Sequence, residues 1–341
     1  MERAQFGGLL IAAAAALAAP PALAHHSTER FDRAQEITID GVIARYDWVN
    51  PHVYIYVEQT TDDGQTVEWE IEGGPPALLR RMGWSREMLN AGDALSVTGN
   101  PTKDETFRTL YLTSMRLSDG TELDERGGFA QLLTPGPAPA RGADGINGLW
   151  TTVFSLEEFA SFEAANIELT EAGRAAREVW DEATMNPGLD CIPPSAPNLM
   201  YIPDAKHVTT TENGSITIEA DFDGALRTIY MDEADHAGAS PSLHGHSIGR
   251  WEGATLVVDT THFAPHAMGN GWGVPSGAQK HLVEWLTPNL EGTSLAYHYV
   301  LTDPEYLAAP VTGDAVWTYA PDASFGPERC DLAAARRFAD D

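Results

Sequence analysis

Basic residues are scarce in this chain: Lys and Arg number 21 against 50 Asp and Glu, a formal charge of −29. Nucleic acid is excluded as a partner, because holding phosphate needs clustered Lys and Arg. Anionic membrane surfaces are excluded on the same ground. Cysteine is nearly absent. The two present, Cys191 and Cys330, lack a CxxC spacing and do not read as a metal site. No long apolar run follows the N-terminus, so the mature chain is expected to lack a membrane span. The GxSxG turn, the Walker-type loop and the dinucleotide-binding glycines are also missing. Nothing therefore supports a hydrolase, kinase or dehydrogenase.

What is present begins with an export signal. Met1-Glu2-Arg3 is a weak basic start, an apolar run follows from Phe6 to Ala19, and Ala22-Leu23-Ala24 is a small-x-small cleavage site. Residues 1–24 are read as a cleavable signal, His25 as the mature N-terminus, and the destination as periplasmic or secreted. In an oxidising compartment Cys191 and Cys330 either pair, closing a loop of nearly the whole second domain, or remain as two buried thiols.

A Pro, Gly and Ala-rich stretch over residues 129–148 reads as a linker. Before it, residues 25–128 predict strands at Ile37–Trp48, Val53–Glu58, Val67–Ile71, Ala94–Gly99 and Thr109–Leu117, with a short helix at Pro76–Met82. That order suits a small OB-like β-barrel. After it, residues 149–341 begin with an amphipathic helix expected over Ile167–Glu182, its Leu169, Ala172, Ala176, Val179 and Trp180 stripe packing on the core. Eight strands follow: His207–Thr211, Ser215–Asp221, Leu226–Met231, Ser247–Trp251, Thr255–Thr261, His281–Leu286, Ser294–Thr302 and Ala315–Tyr319. The fold class is mainly β: an OB-like domain, then an antiparallel lipocalin-like barrel or sandwich with a short helical lead-in.

The first block carries His25-His26-Ser27, Asn50-Pro51-His52, Gly83-Trp84 and Gly92-Asp93, and by these resembles a family of uncharacterised exported bacterial domains. The second carries Gly245-His246-Ser247-Ile248-Gly249-Arg250-Trp251-Glu252-Gly253, then Thr255 to Thr260, His281 with Glu284, and Asp303-Pro304. By these it resembles another exported family without a settled role. Neither resemblance implies a reaction.

Two candidate sites emerge. Cleavage after Ala24 gives His25 a free α-amino group beside its imidazole. With His26 or His52 as a further ligand, this resembles the histidine brace of copper-handling exported proteins, and copper is the favoured ion. The bland alternative is a frayed terminus. The second site follows from eight of the 11 histidines lying after residue 200. A two-residue turn at Glu252-Gly253 would set His246 opposite Asp259, a carboxylate able to orient a catalytic imidazole. A three-residue turn would set it against Val258 instead. Arg250 shares the face of His246 and could hold an oxygen. His281 and Glu284, three apart, point to opposite faces, and His281 is preferred for the cavity. A cupin-like metal set using His244 and His246 is a further alternative, as are histidines with no chemistry.

The reading favoured for the whole chain is an exported two-domain binding protein holding a metal ion, copper first, or a small apolar ligand. The alternatives are a cofactor-independent lyase, hydratase or isomerase using His246, Asp259, Arg250 and His281, and an envelope structural protein.

Overall fold

The computed structural model describes residues 30–125, 128, 141–153, 167–323, 325–326 and 329–337. The expected signal segment, His25, His26 and most of the linker lie outside them.

The N-terminal region forms a closed five-stranded barrel from β1 (Ile37–Asp47), β2 (Tyr54–Thr60), β3 (Thr66–Glu72), β4 (Ala94–Pro101) and β5 (Thr109–Leu117). A short helix, α1 (Pro76–Arg81), follows β3, and β6 (Glu122–Asp124) extends the sheet beyond β5. The pairs β1–β2, β2–β3, β1–β4 and β4–β5 are antiparallel, and β3 closes the ring on β5 in parallel. Ile39, Ile43, Ile55, Val57, Ile71, Val97 and Leu112 fill it. Strand β2 is apolar on both faces, and its outer Tyr54 and Tyr56 are also buried, against Ala334.

The second barrel is closed and nine-stranded. Its strands are β7 (Gly148–Val153), β8 (Lys206–Thr210), β9 (Ile216–Ala220), β10 (Leu226–Tyr230), β11 (His246–Glu252), β12 (Thr255–Thr261), β15 (His281–Pro288), β16 (Ser294–Thr302) and β17 (Val311–Tyr319). A separate hairpin of β13 (His266–Gly271) and β14 (Val274–Ser276) interrupts the meander. Each barrel strand neighbours its successor, and β17 pairs back with β7. One junction, β10 with β11, is parallel. The connection between those two strands is correspondingly long, residues 231–245.

Side chains occupy the barrel interior. Apolar Ile218, Ile229, Leu256, Val258, Leu282, Leu286, Leu295 and Trp317 surround one buried ion pair. The Arg227 guanidinium donates to both oxygens of Glu284, to Thr260 Oγ1 at 2.8 Å and to Ser247 Oγ at 3.1 Å. Tyr297 donates its hydroxyl to Glu284 Oε1 at 2.9 Å. Within this cluster Arg227, Glu284, Ser247, Thr260 and Tyr297 are all hydrogen-bonded, which such burial requires.

Two expectations change. Gly148–Val153 is itself a strand, so nine strands close the barrel, and the helical turns over residues 171–201 lie inside the meander, between β7 and β8. The expected helix over Ile167–Glu182 is confined to α2 (Glu171–Glu178), which buries Gly173 against the Tyr306 backbone, while Val179 is 66% exposed. Of the apolar stripe, Leu169, ahead of the helix, packs in the core, whereas Ala172 and Val179 are exposed.

The barrels touch directly. Arg80 Nη2 lies 2.8 Å from Asp221 Oδ2, and Arg81 donates to the Pro203 carbonyl. A disulfide joins Cys191 to Cys330. The segment beyond it reaches back onto the first barrel: Asp331 N donates to Asn50 O at 2.9 Å, and Arg337 lies over the Tyr54 ring and beside Glu70.

Candidate functional site

Strand period sets the outer face of the second barrel. Ser247 and Gly249 of β11 face inward with Thr260 of β12, so His246, Asp259 and Thr261 face outward. His281, the first residue of β15, also faces outward, with Glu284 on the opposite face inside the barrel. Two glycines permit this packing. Gly245 has φ +69°, and a Cβ there would meet Thr261 O at 2.7 Å. A Cβ on Gly249 would collide with Met231 Sδ and meet Ile229 Cγ2 at 2.7 Å, beside the parallel strand.

The long connection lays Glu233 and His236 over this face, and a continuous chain of contacts results. Glu233 Oε2 lies 3.0 Å from His246 Nε2. His246 Nδ1 lies 2.9 Å from His236 Nδ1. His236 Nε2 lies 2.9 Å from Asp259 Oδ1, and Asp259 Oδ2 lies 3.1 Å from His281 Nε2. Tyr230 stacks on His246 at 5.0 Å between ring centres, and His262 stacks on His236 at 6.1 Å. Partial burial acts to raise the Asp259 carboxyl, but hydrogen bonds from His281 and His236 and the charge of both rings outweigh it, leaving the group below its usual value.

His281 and His262 also line a cleft of about 250 Å³, with Pro241, Phe263, Pro265 and Ala278 supplying apolar walls. His262 holds φ +56°, a left-handed conformation that is costly for a residue with a Cβ and tends to accompany function. Lys280 lies in the cleft wall. Its ammonium donates to Ala196 O at 2.7 Å and Gly269 O at 2.5 Å, contacts Ser195 Oγ at 3.1 Å and sits 4.3 Å from the Phe263 ring centre. Burial lowers it to about 7.

Of the residues singled out from sequence, His246, Asp259 and His281 are brought together. The pairing differs from expectation: Glu252 pairs with Thr255, so the turn is Gly253-Ala254, and His246 opposes Thr261 while Ile248 opposes Asp259. Gly253, at φ +63°, supplies the left-handed residue of that turn. The slip is two residues, so the face is preserved. Arg250 does not join the group. It lies toward the turn, exposed, and binds Glu252 Oε1 at 2.7 Å. His244 stands apart as well. Burial lowers it to about 4, with the charges of Arg227, His266 and Lys280 acting the same way.

In the first barrel, His52 Nδ1 lies 3.0 Å from Gly73 O and 3.1 Å from the buried Glu72 carboxylate. Residues 13–110 match the model of a family of unknown function, DUF6152. That span includes His52 and excludes the whole histidine chain of the second barrel. No curated protein matches the sequence. Among solved structures, the mitochondrial single-stranded DNA binding protein Rim1 of S. cerevisiae aligns with 26% of this chain and 97% of its own, at 13% identity and a TM-score of 0.20. A likeness of that size carries no functional argument.

Glu233, His236 and His262 are the members that strand patterning does not reach. The available signal was compositional: Asp232-Glu233-Ala234-Asp235-His236 packs acidic and imidazole groups into one long connection. Among the described residues, no group of three or more His, Cys, Asp or Glu side chains is arranged to hold a metal ion, and no helix is long and apolar enough to cross a membrane.

Proposed function

We propose that the second barrel carries a general acid–base site for a small, partly apolar molecule. His281 is the group presented to that molecule, Asp259 orients it, and His236, His246 and Glu233 form a path along which a proton can move away. One observation carries the reading: Asp259 uses both carboxylate oxygens to hold two imidazoles, one of them on the wall of the cleft. A carboxylate so placed fixes the tautomer of the ring and favours its protonated form during reaction. The reaction class is elimination, hydration or isomerisation without a cofactor. The test is turnover of small carbonyl and hydroxyl compounds followed by NMR. Wild-type turnover falling by about 10²-fold or more in His281→Ala supports the assignment, and equal turnover in that variant rejects it.

A second reading is favoured by His52. Its Nδ1 is anchored by a carbonyl and a buried carboxylate, the way a metal-ligating imidazole is commonly oriented. On this reading the exported chain, cleaved after Ala24, holds copper through His25 with His26 or His52. Export to the periplasm or beyond belongs to the same proposal, as does the division into domains 25–128 and 149–341. Copper titration of the mature chain tests it, since acetylating the α-amino group of His25 should abolish a site built on the terminal amine.

A further inference from the structure

We propose that His262 is the acid of the cleft, partner to the base His281, and that the two act on small uncharged ketones and aldehydes carrying an α C–H; this rests on the acid–base reading above and supplies its second group. Along β12, Thr260 faces the interior and Thr261 the outside, so alternation would send His262 inside. It does not go there. Its left-handed φ of +56° puts a second residue in succession on the outer side, as a bulge does, and Phe263, 2% exposed, returns to the core in its place. The run between β10 and β11 grips this irregular step: Ser242 N donates to His262 O at 3.0 Å, and Ala264 N donates to Ser242 O at 2.7 Å. The ring that results borders the cleft and stacks on His236.

Hydrogen counting divides the roles. The Asp259 carboxylate only accepts, so His281 Nε2, 3.1 Å from Oδ2, carries a hydrogen, and Nδ1 is the atom left to take a proton. His262 Nδ1 lies 2.8 Å from Thr261 Oγ1. A hydroxyl accepts from the ring whether the ring is neutral or charged, which leaves Nε2 to gain and lose the proton. A carboxylate favours the charged form of the imidazole it holds, and a hydroxyl has no charge with which to do so. His281 is therefore the base and His262 the acid. The two stand close, because Thr260 pairs with Leu282, and one step further along both strands sets Thr261 beside His281. Of the other cleft residues, Lys280 directs its ammonium hydrogens to Ser195 Oγ, Ala196 O and Gly269 O, and the Gln279 amide does not ionise.

The α C–H bond breaks and its proton passes to His281 Nδ1. The electron pair left behind forms the C=C bond of an enol, and the carbonyl oxygen takes the proton of His262 Nε2. The reverse steps restore the carbonyl compound, with solvent hydrogen at the α carbon once the His281 proton has exchanged. Apolar walls from Pro241, Phe263, Pro265 and Ala278, a volume of about 250 Å³ and a chain charge of −29 favour a small uncharged molecule over an anion.

The test is hydrogen exchange into butanone, cyclohexanone and 3-hydroxybutanone in D2O, followed by NMR with the full chain. Exchange above the buffer rate is expected in the wild type, falling by about 10²-fold or more in His281→Ala and in His262→Gly. Glycine adopts the left-handed conformation freely and Asn tolerates it, so His262→Gly and His262→Asn both suit the backbone. Added imidazole should restore exchange to His262→Gly, a recovery that a merely structural role would not show. Wild-type exchange in both His262 variants, with His281→Ala inactive, overturns the role of His262 and leaves the acid–base reading standing. A loss that imidazole does not restore overturns it as well. A wild type that exchanges none of the three ketones overturns the substrate class, and turnover of hydroxyl compounds then decides the acid–base reading separately.

Discussion

Asp259 Oδ1 accepts a hydrogen bond from His236 Nε2 at 2.9 Å, across 23 positions of sequence, while its other oxygen meets His281 Nε2 at 3.1 Å. A carboxylate can satisfy two donors at once. An amide cannot, because one of its two ends is itself a donor. Asp259→Asn should therefore release one of the two rings and lower any turnover at the cleft by about 10²-fold. The pair is partly solvated, so the cost in stability should be small, about 1 kcal/mol or less. Histidine side-chain NMR, with thermal unfolding alongside, reads both effects.

Glu284 differs because its carboxylate is wholly enclosed with Arg227. Replacing it with Gln strands the guanidinium inside the barrel, and urea unfolding should show a loss of about 3–5 kcal/mol. The double replacement Arg227→Met with Glu284→Leu should lose less than either single change, because it removes the uncompensated charge.

Glu125 should make the first barrel sensitive to alkali. Burial pushes its carboxyl up to about 8; a Gly74 backbone hydrogen bond opposes the shift and the charge of Glu72 adds to it. A raised acid holds its proton longer in the folded state. Its contribution is thus complete below the unfolded value, 4.5, and is lost as pH rises through about 8. Glu125→Gln should flatten that decline. Urea midpoints across the same pH interval should show the variant gaining on the wild type as pH rises, with the two alike at the acidic end.

Reduction of Cys191–Cys330 should act at a distance. The bridge spans 139 positions, and chain entropy puts its contribution at about 5 kcal/mol. Its loss should also loosen the segment from Asp331 to Arg337, which covers Tyr54 and Tyr56 of the first barrel. Faster amide exchange on β2 after reduction, beyond that on β4, is the expected signature.

Most strands were legible because β-branched alternation and glycine turns are local signals. β7 was not, since Gly148-Leu149-Trp150-Thr151-Thr152-Val153 stands directly behind the linker and looks like an entrance to the domain. The β13–β14 hairpin was hidden by its own glycines. Within the site, His246, Asp259 and His281 lie on strands, where parity alone assigns a face. Arg250 has the correct parity but lies four residues along β11 from His246, about 13 Å at the strand rise of roughly 3.3 Å. Glu233 and His236 come from a connection whose path no period encodes. His25 and His26 lie outside the described residues, and their proposed role rests on sequence.

The strand count of the second barrel has a consequence of its own. Going once round a closed ring, strand direction must return to its starting sense, so the number of direction reversals is even. Nine strands have nine junctions, and at least one of them cannot be a reversal. Here that junction is β10 with β11, and two strands running the same way cannot be joined by a tight turn. The chain must travel back along the full height of the wall before it can begin again. That return run is residues 231–245, and it delivers Glu233 and His236 to the outer face. An even-stranded version of the same meander could have closed with short turns throughout, and would have had no segment to lay over His246 and Asp259.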